Sequence, residues 1–192
     1  DTVLGTESLR VAKLAAGGVL AAVDAVAAGR VQNAFAVVQP PGHHALPDRA
    51  MGFCLFNSIA IAARYAQRQH GLKRILIVDW DAHHGNGTQA MFYEDPSVFF
   101  FSTHQSLAYP GTGYSNETGH GAGAGTTLNA MLDKGEGDVE IIAASRDKLV
   151  PAADAFKPDL VLISSGFDAH RDDPLAVLRV TGGLCGPDPD RH

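Results

Sequence analysis

The stretch Asp79-Trp80-Asp81-Ala82-His83-His84-Gly85-Asn86-Gly87 concentrates carboxylates and imidazoles more densely than any other part of the chain. In an extended backbone alternate side chains share a face, so Asp79, Asp81 and His83 would project together. Zinc accepts imidazole nitrogen and carboxylate oxygen, and zinc sites that do chemistry usually keep three protein ligands and one open position. Asp81 and His83 can supply two ligands. Asp168, within Ser164-Ser165-Gly166-Phe167-Asp168-Ala169-His170, can supply the third. A plainer reading stands beside this one: a polar strand end held by hydrogen bonds, with Asp168 as a turn or helix-cap residue.

A second segment, Pro40-Pro41-Gly42-His43-His44, pairs two stiffening prolines with a glycine that permits a sharp bend. Such a turn can aim both imidazoles into one cavity. A histidine near its ordinary pKa can take a proton from an activated water and return it to a leaving amine. Asp79 is the candidate to hold one ring, and Asn86 is a neutral candidate to hold the other.

These segments need elements to carry them. Residues 7–29, rich in Ala, Leu and Val, read as a helix ending at Gly29, and Ala34–Val38 as a buried strand. The alternation returns as a helix near 56–69 before Ile75–Asp79 and a helix near 138–156 before Leu160–Ser164, with a further strand at 97–102. Continuously apolar strands separated by helices predict a three-layer α/β/α domain with a mainly parallel sheet. In such sheets ligands sit beyond the carboxyl ends of the strands. Seven of the nine histidines fall in or just beyond the segments that follow the predicted strands, so the chemistry sits where the fold would put a site. Residues 107–127, rich in glycine, read as a long loop.

Composition narrows the chemistry further. With 45% hydrophobic and 19% charged residues the chain can bury a core. No apolar run approaches the roughly 20 residues that span a bilayer, and the first residues lack the pattern of a signal peptide, so the expectation is a soluble, cytoplasmic protein with no membrane partner. Cys54 and Cys185 make neither a disulfide framework nor a C-x-x-C metal pair, which leaves histidines and carboxylates to build any metal site. A formal charge of −6 disfavours direct nucleic-acid binding and suits a basic acylated ligand better.

The ordered set PPGHHA, MGFCLFNS, DWDAHHGNGTQ, FYEDPSV, YPGTG and SSGFDAH resembles the histone deacetylase and acetylpolyamine amidohydrolase superfamily, of the arginase-deacetylase fold, from about Asp1 to Leu178. Asn86 after His84-Gly85 is similar to the class II branch and its bacterial relatives. The resemblance implies one Zn2+ per chain on Asp81, His83 and Asp168, with His43 and His44 as the general acid/base pair and Asp79 orienting His43. It also implies a structural K+ surrounded by Asp79, Asp81, His83 and Ser102, and a narrow acyl-lysine tunnel walled by Gly52, Phe53 and Tyr109. Taken alone, Phe53 and Tyr109 could equally be core aromatics. His104 and His170 match no family catalytic position and are expected either to support the site residues from behind or to lie at the rim.

The reaction so implied is hydrolysis of an acylated amine, with an acetyl-lysine peptide, an acetylpolyamine or a small acyl amide as substrate; homo-oligomers are left open. In the family a Tyr within a Gly-Gly-Tyr segment stabilises the oxyanion. Here Val180-Thr181-Gly182-Gly183-Leu184 continues without one, and Tyr65, Tyr93, Tyr109 and Tyr114 lie in other segments. Residues 1–180 are therefore expected to be a partial catalytic domain, incomplete at both ends, with an irregular tail at 181–192 and reduced turnover. Two rivals remain. One is a noncatalytic acyl-lysine-binding remnant. The other is a binuclear manganese ureohydrolase, disfavoured because its D-x-H-x-D pattern is broken by His84 and Gly85.

Overall fold

The computed structural model describes residues 2–182. Helix α1 (Ser8–Ala27) is followed by α2 (Ser58–His70), β1 (Ile75–Asp79), α3 (Asn86–Phe92), β2 (Val98–Gln105), β3 (Thr127–Leu132), α4 (Asp138–Ala144), α5 (Val150–Phe156) and β4 (Leu160–Ser164). The strands form one parallel sheet in the order β3-β2-β1-β4. The register sets Asp79 at the carboxyl end of β1 between Ser102 of β2 and Ser164 of β4.

Every residue of β1 is buried, as a strand covered on both faces requires. On one face Ile75, Ile77, Val98 and Phe100 pack with Phe92 of α3 and with Ala60, Ala62, Ala63 and Ala66 of α2. Alanines let that helix approach the sheet closely, and α1 packs on α2. The opposite face carries Leu76, Val78, Phe99 and Phe101 against Ala144 and Phe156. Each buried phenylalanine contributes about 1.5–3 kcal/mol. The predicted three layers are thus present.

The helix boundaries follow local chemistry. Asn57 caps α2 by accepting from the Ala60 N–H at 3.0 Å, and Gly71, at φ +68°, ends it. The helix expected over 138–156 is interrupted by a π-turn at Ser145–Leu149, just before Pro151. Proline has no N–H to give the carbonyl four residues earlier, so the regular ladder breaks there.

Two expectations are corrected. Ala34–Val38 forms no strand: Phe35 and Val37 are 70% and 85% exposed, while Val38 rests near Gly18 of α1. No sheet edge is paired with this segment among the described residues, and apolar sequence without a neighbouring strand cannot build a ladder. Conversely, β3 begins where the long loop was expected to end. Its Thr127 and Asn129 are buried polar residues that hide the apolar signature. Of the expected tail at 181–192, residues 183–192, with Cys185, lie outside the described residues. Among the described residues no helix is long and apolar enough to cross a membrane.

Candidate metal centre

The site forms where the chain leaves β1 and β4. After Asp79 the backbone bends, and successive carboxylates cap the next amides: Asp79 Oδ1 accepts from Asp81 N–H at 3.3 Å and Asp81 Oδ1 from His83 N–H at 2.8 Å. This bend, and not an extended alternation, brings Asp81 and His83 together. Asp79 turns instead toward His43. From the loop after β4, Asp168 Oδ1 accepts the Ala82 N–H at 2.8 Å, leaving Oδ2 2.7 Å from His83 Nδ1. Asp81 Oδ1 lies 3.1 Å from the same nitrogen. One donor atom from each of Asp81, His83 and Asp168 lies within 4.8 Å of the others. Gly166 makes this possible, since a Cβ there would sit 2.1 Å from Asp81 Oδ2. One nitrogen and two carboxylate oxygens match the ligand preferences of zinc, so the residues present fit that ion.

The two carboxylates of the cluster attract positive charge. Hydrogen bonds to Asp168 and then Asp81 outweigh burial and raise His83 to about 10. Zinc needs the unprotonated imidazole, so below that value binding must displace a proton. Zinc titrated into metal-free protein should release about one proton, and its apparent affinity should rise about tenfold per pH unit across neutrality. Competition with a chromophoric chelator at several pH values measures this. A pH-independent affinity would exclude His83 as a ligand.

His43 and His44 stand beside the cluster with ring centroids 4.0 Å apart. Their turn is pinned by the start of α3, where Gly87 and Thr88 N–H both donate to the His43 carbonyl, at 3.0 and 3.2 Å. Those amides would otherwise lack partners at a helix N-terminus. A Cβ at Gly87 would meet the Ala45 carbonyl oxygen at 2.2 Å, so only glycine allows the approach. His43 Nδ1 is 2.9 Å from Asp79 Oδ2, and its Nε2 is 3.8 Å from Asp81 Oδ2. Burial disfavours the charge on His43, but the Asp79 carboxylate overrides it and raises the ring to about 9. His44 goes the other way. Burial and the neighbouring His43 lower it to about 4, although Asn86 Oδ1 lies 2.8 Å from its Nδ1. The two adjacent imidazoles are therefore pushed in opposite directions, His43 toward the cation and His44 toward the neutral ring.

The segment Met51–Cys54 is a tight hairpin with Gly52 at φ +57° and Phe53 at φ +63°, the pattern of a type I′ turn. A Cβ at Gly52 would lie 2.3 Å from the His44 ring. Tyr109 sets its ring edge-on to His44 at 5.1 Å and His83 at 6.3 Å, and bonds the Gly52 backbone. Gly52 and Tyr109 thus flank the histidines. Phe53 is 68% exposed and lines a groove of about 460 Å3 with Val3, Val11 and Pro40.

His104 is not a rim residue. It is buried beneath the site, with Nδ1 2.9 Å from Ser102 Oγ and Nε2 3.0 Å from the Gly113 carbonyl. Burial lowers its pKa. The neutral ring donates from Nε2 to that carbonyl and accepts the Ser102 hydroxyl hydrogen at Nδ1. His84 stacks near it at 4.7 Å, bonded to Thr112 and Gln89, and Gln89 is bonded in turn to Asn129 and Glu117. Only the histidines of this network stood out in the sequence. His170 lies at the surface beside Asp172.

Residues 1–185 match the family model of the histone deacetylase domain. The chain is 54% identical over 175 residues to "Histone deacetylase 10, chloroplastic" of Oryza sativa subsp. japonica, covering 88% of this chain and 40% of that protein. To "Histone deacetylase-like amidohydrolase" of Pseudomonas aeruginosa it is 44% identical over 182 residues, covering 94% and 48%. The crystal structure of the HDA15 HD domain superposes with a TM-score of 0.93 at 47% identity, covering 95% of this chain and 54% of that one. The chain thus spans about half the length of these relatives.

Proposed function

Because the chain belongs to the histone deacetylase family, we propose that it is built for zinc-dependent hydrolysis of an acylated amine: an acetyl-lysine peptide, an acetylpolyamine or a small acyl amide. The observation that carries this reading is the juxtaposition of one nitrogen and two carboxylate donors with two histidines, one held by Asp79 and the other by Asn86. When bound, zinc supplies the Lewis acidity that polarises the acyl carbonyl and acidifies the attacking water.

The protein's own groups supply the rest. Neutral His44 accepts the proton of the attacking water at Nε2, since its Nδ1 is engaged by Asn86. Cationic His43, fixed by Asp79, presents Nε2 toward Asp81 and stabilises negative charge developing beside the metal ligands. A proton then passes from the histidine pair to the departing amine. Gly52 and Tyr109 flank the approach to His44, where a slender acyl-lysine stem fits better than a branched one. A potassium ion near Asp79, Asp81, His83 and Ser102 suits the buried Ser102 oxygen.

The test is acetate release by the full 192-residue chain, metal-free and zinc-loaded, on all three substrate classes. Zinc-dependent release is expected, with none from the metal-free protein. Tight hydroxamate binding with no release on any substrate would reassign the chain as an acyl-lysine-binding module. Two manganese ions per chain with urea release would reassign it as a ureohydrolase.

A further inference from the structure

We propose that Met51 is a positioning residue whose thioether sulfur selects the orientation of the Asn86 amide and, through it, the tautomer of His44. The proposal deepens the hydrolase reading, on which the role of His44 rests.

A side-chain amide is nearly symmetric in shape but not in chemistry: one end only accepts hydrogen bonds and the other only donates. Asn86 places Oδ1 2.8 Å from His44 Nδ1 and gives Nδ2 to Met51 Sδ at 3.4 Å. In this orientation Oδ1 must receive a hydrogen from Nδ1, so the neutral imidazole carries its proton there and leaves Nε2 open. With the amide turned over, Nδ2 would donate to His44 Nδ1 and force the proton onto Nε2. That ring could no longer accept a proton where the reaction needs it. The two orientations satisfy His44 equally well, so the choice falls to the other end of the amide. There the turned amide would set its oxygen against the sulfur, acceptor facing acceptor.

Met51 is held firmly enough to make this choice. Its N–H and carbonyl both pair with Cys54, at 3.2 and 2.9 Å, across the Gly52-Phe53 turn. The turn itself is seated on the His44 ring through Gly52. Arg49 Nη2 approaches the same sulfur at 3.9 Å, from the exposed side, and so also treats it as an acceptor. The hairpin therefore reaches His44 twice, once by packing and once through Asn86.

The experiment records long-range 1H–15N correlations of histidine-labelled full chain, with His44 assigned by the signal lost in His44→Asn. Wild type should show the Nδ1–H tautomer. Met51→Leu, similar in size but lacking an acceptor, should shift the tautomer ratio about fivefold toward Nε2–H, the factor one net hydrogen bond is worth. In an Asn86→Asp background both oxygens accept, no orientation remains to be selected, and Met51→Leu should change nothing further. Acetate release should follow the same pattern, in kcat and not in KM. An unchanged ratio in Met51→Leu overturns the proposal, as does an equal shift caused by Met51→Leu in the Asn86→Asp background. Tautomers that shift as stated in a protein releasing no acetate support the proposal and count against hydrolysis. Release with unmoved tautomers does the reverse.

Discussion

Asp168→Asn should weaken zinc binding at least about a hundredfold while leaving the fold intact. Four-ligand zinc sites are worth about 10–16 kcal/mol, so one ligand accounts for about 2.5–4 kcal/mol, or roughly two to three orders of magnitude. The asparagine cannot do both jobs of the aspartate it replaces. If its oxygen keeps the Ala82 N–H, now 2.8 Å from Oδ1, its amide nitrogen faces the metal position, and an amide NH2 is not a ligand. If it turns over to offer oxygen to the metal, two N–H groups confront each other at Ala82. Either way the site loses a negative charge beside His83. Metal content after dialysis measures the loss, and circular dichroism melting shows whether the fold survives. A variant that keeps one zinc per chain would remove Asp168 from the ligand set.

How much of this could be read beforehand depends on whether the signal is local. The candidate ligands were legible because Asp and His crowded at the ends of apolar strands have few structural reasons to be there. Their convergence was legible for the wrong reason. Asp79, Asp81 and His83 were expected on one strand face, whereas the chain bends after Asp79 and splits the set between His43 and the metal position. That bend depends on side-chain caps and on Gly166 from a distant loop. Helix α1 was legible because its composition is uniform. Ala34–Val38 misled because a strand is a relation between two segments, and apolar residues record only one of them.

The polar network below the site was illegible for a similar reason. Asn129 reads as an interruption of a strand until its partners, Gln89 and the Glu117 carbonyl, are known from other elements. His104 could be placed in the sequence only as a supporting or rim residue, because an isolated histidine after an apolar run has no visible partner; in the fold its partners are Ser102, on the same strand face, and a loop carbonyl. Met51 stood in the motif MGFCLFNS, but nothing there gave it a role of its own. Its role comes from a turn that requires positive φ at two successive residues, one of them a phenylalanine. A bulky side chain in that conformation is unusual, and unusual backbone conformations gather at functional sites.

Asp79→Ala should be the most destabilising single change at the site, costing about 3–5 kcal/mol, because it removes one partner of a buried ion pair and leaves the other uncompensated. Asp79 is fully buried at the end of the central strand, with His43 on Oδ2 and the Asp81 amide on Oδ1. Gly85 crowds the same carboxylate so closely that a Cβ there would lie 2.3 Å from Oδ2, so the structure is shaped around the group. The cost should depend on pH with a definite sign. His43 is raised from 6.5 to about 9, so the pair contributes fully below the unfolded value and its contribution is lost as pH rises through the folded one. Urea unfolding of metal-free wild type and Asp79→Ala should therefore show the widest gap in stability below pH 6.5, narrowing toward pH 9. Asp79→Asn, which keeps the shape and removes the charge, should lose the pH dependence while retaining part of the stability. A gap that stays constant over this range would mean that Asp79 holds His43 as a neutral hydrogen-bond partner. The division of labour between a cationic His43 and a neutral His44 would then have to be abandoned, and both histidines treated as equivalent bases.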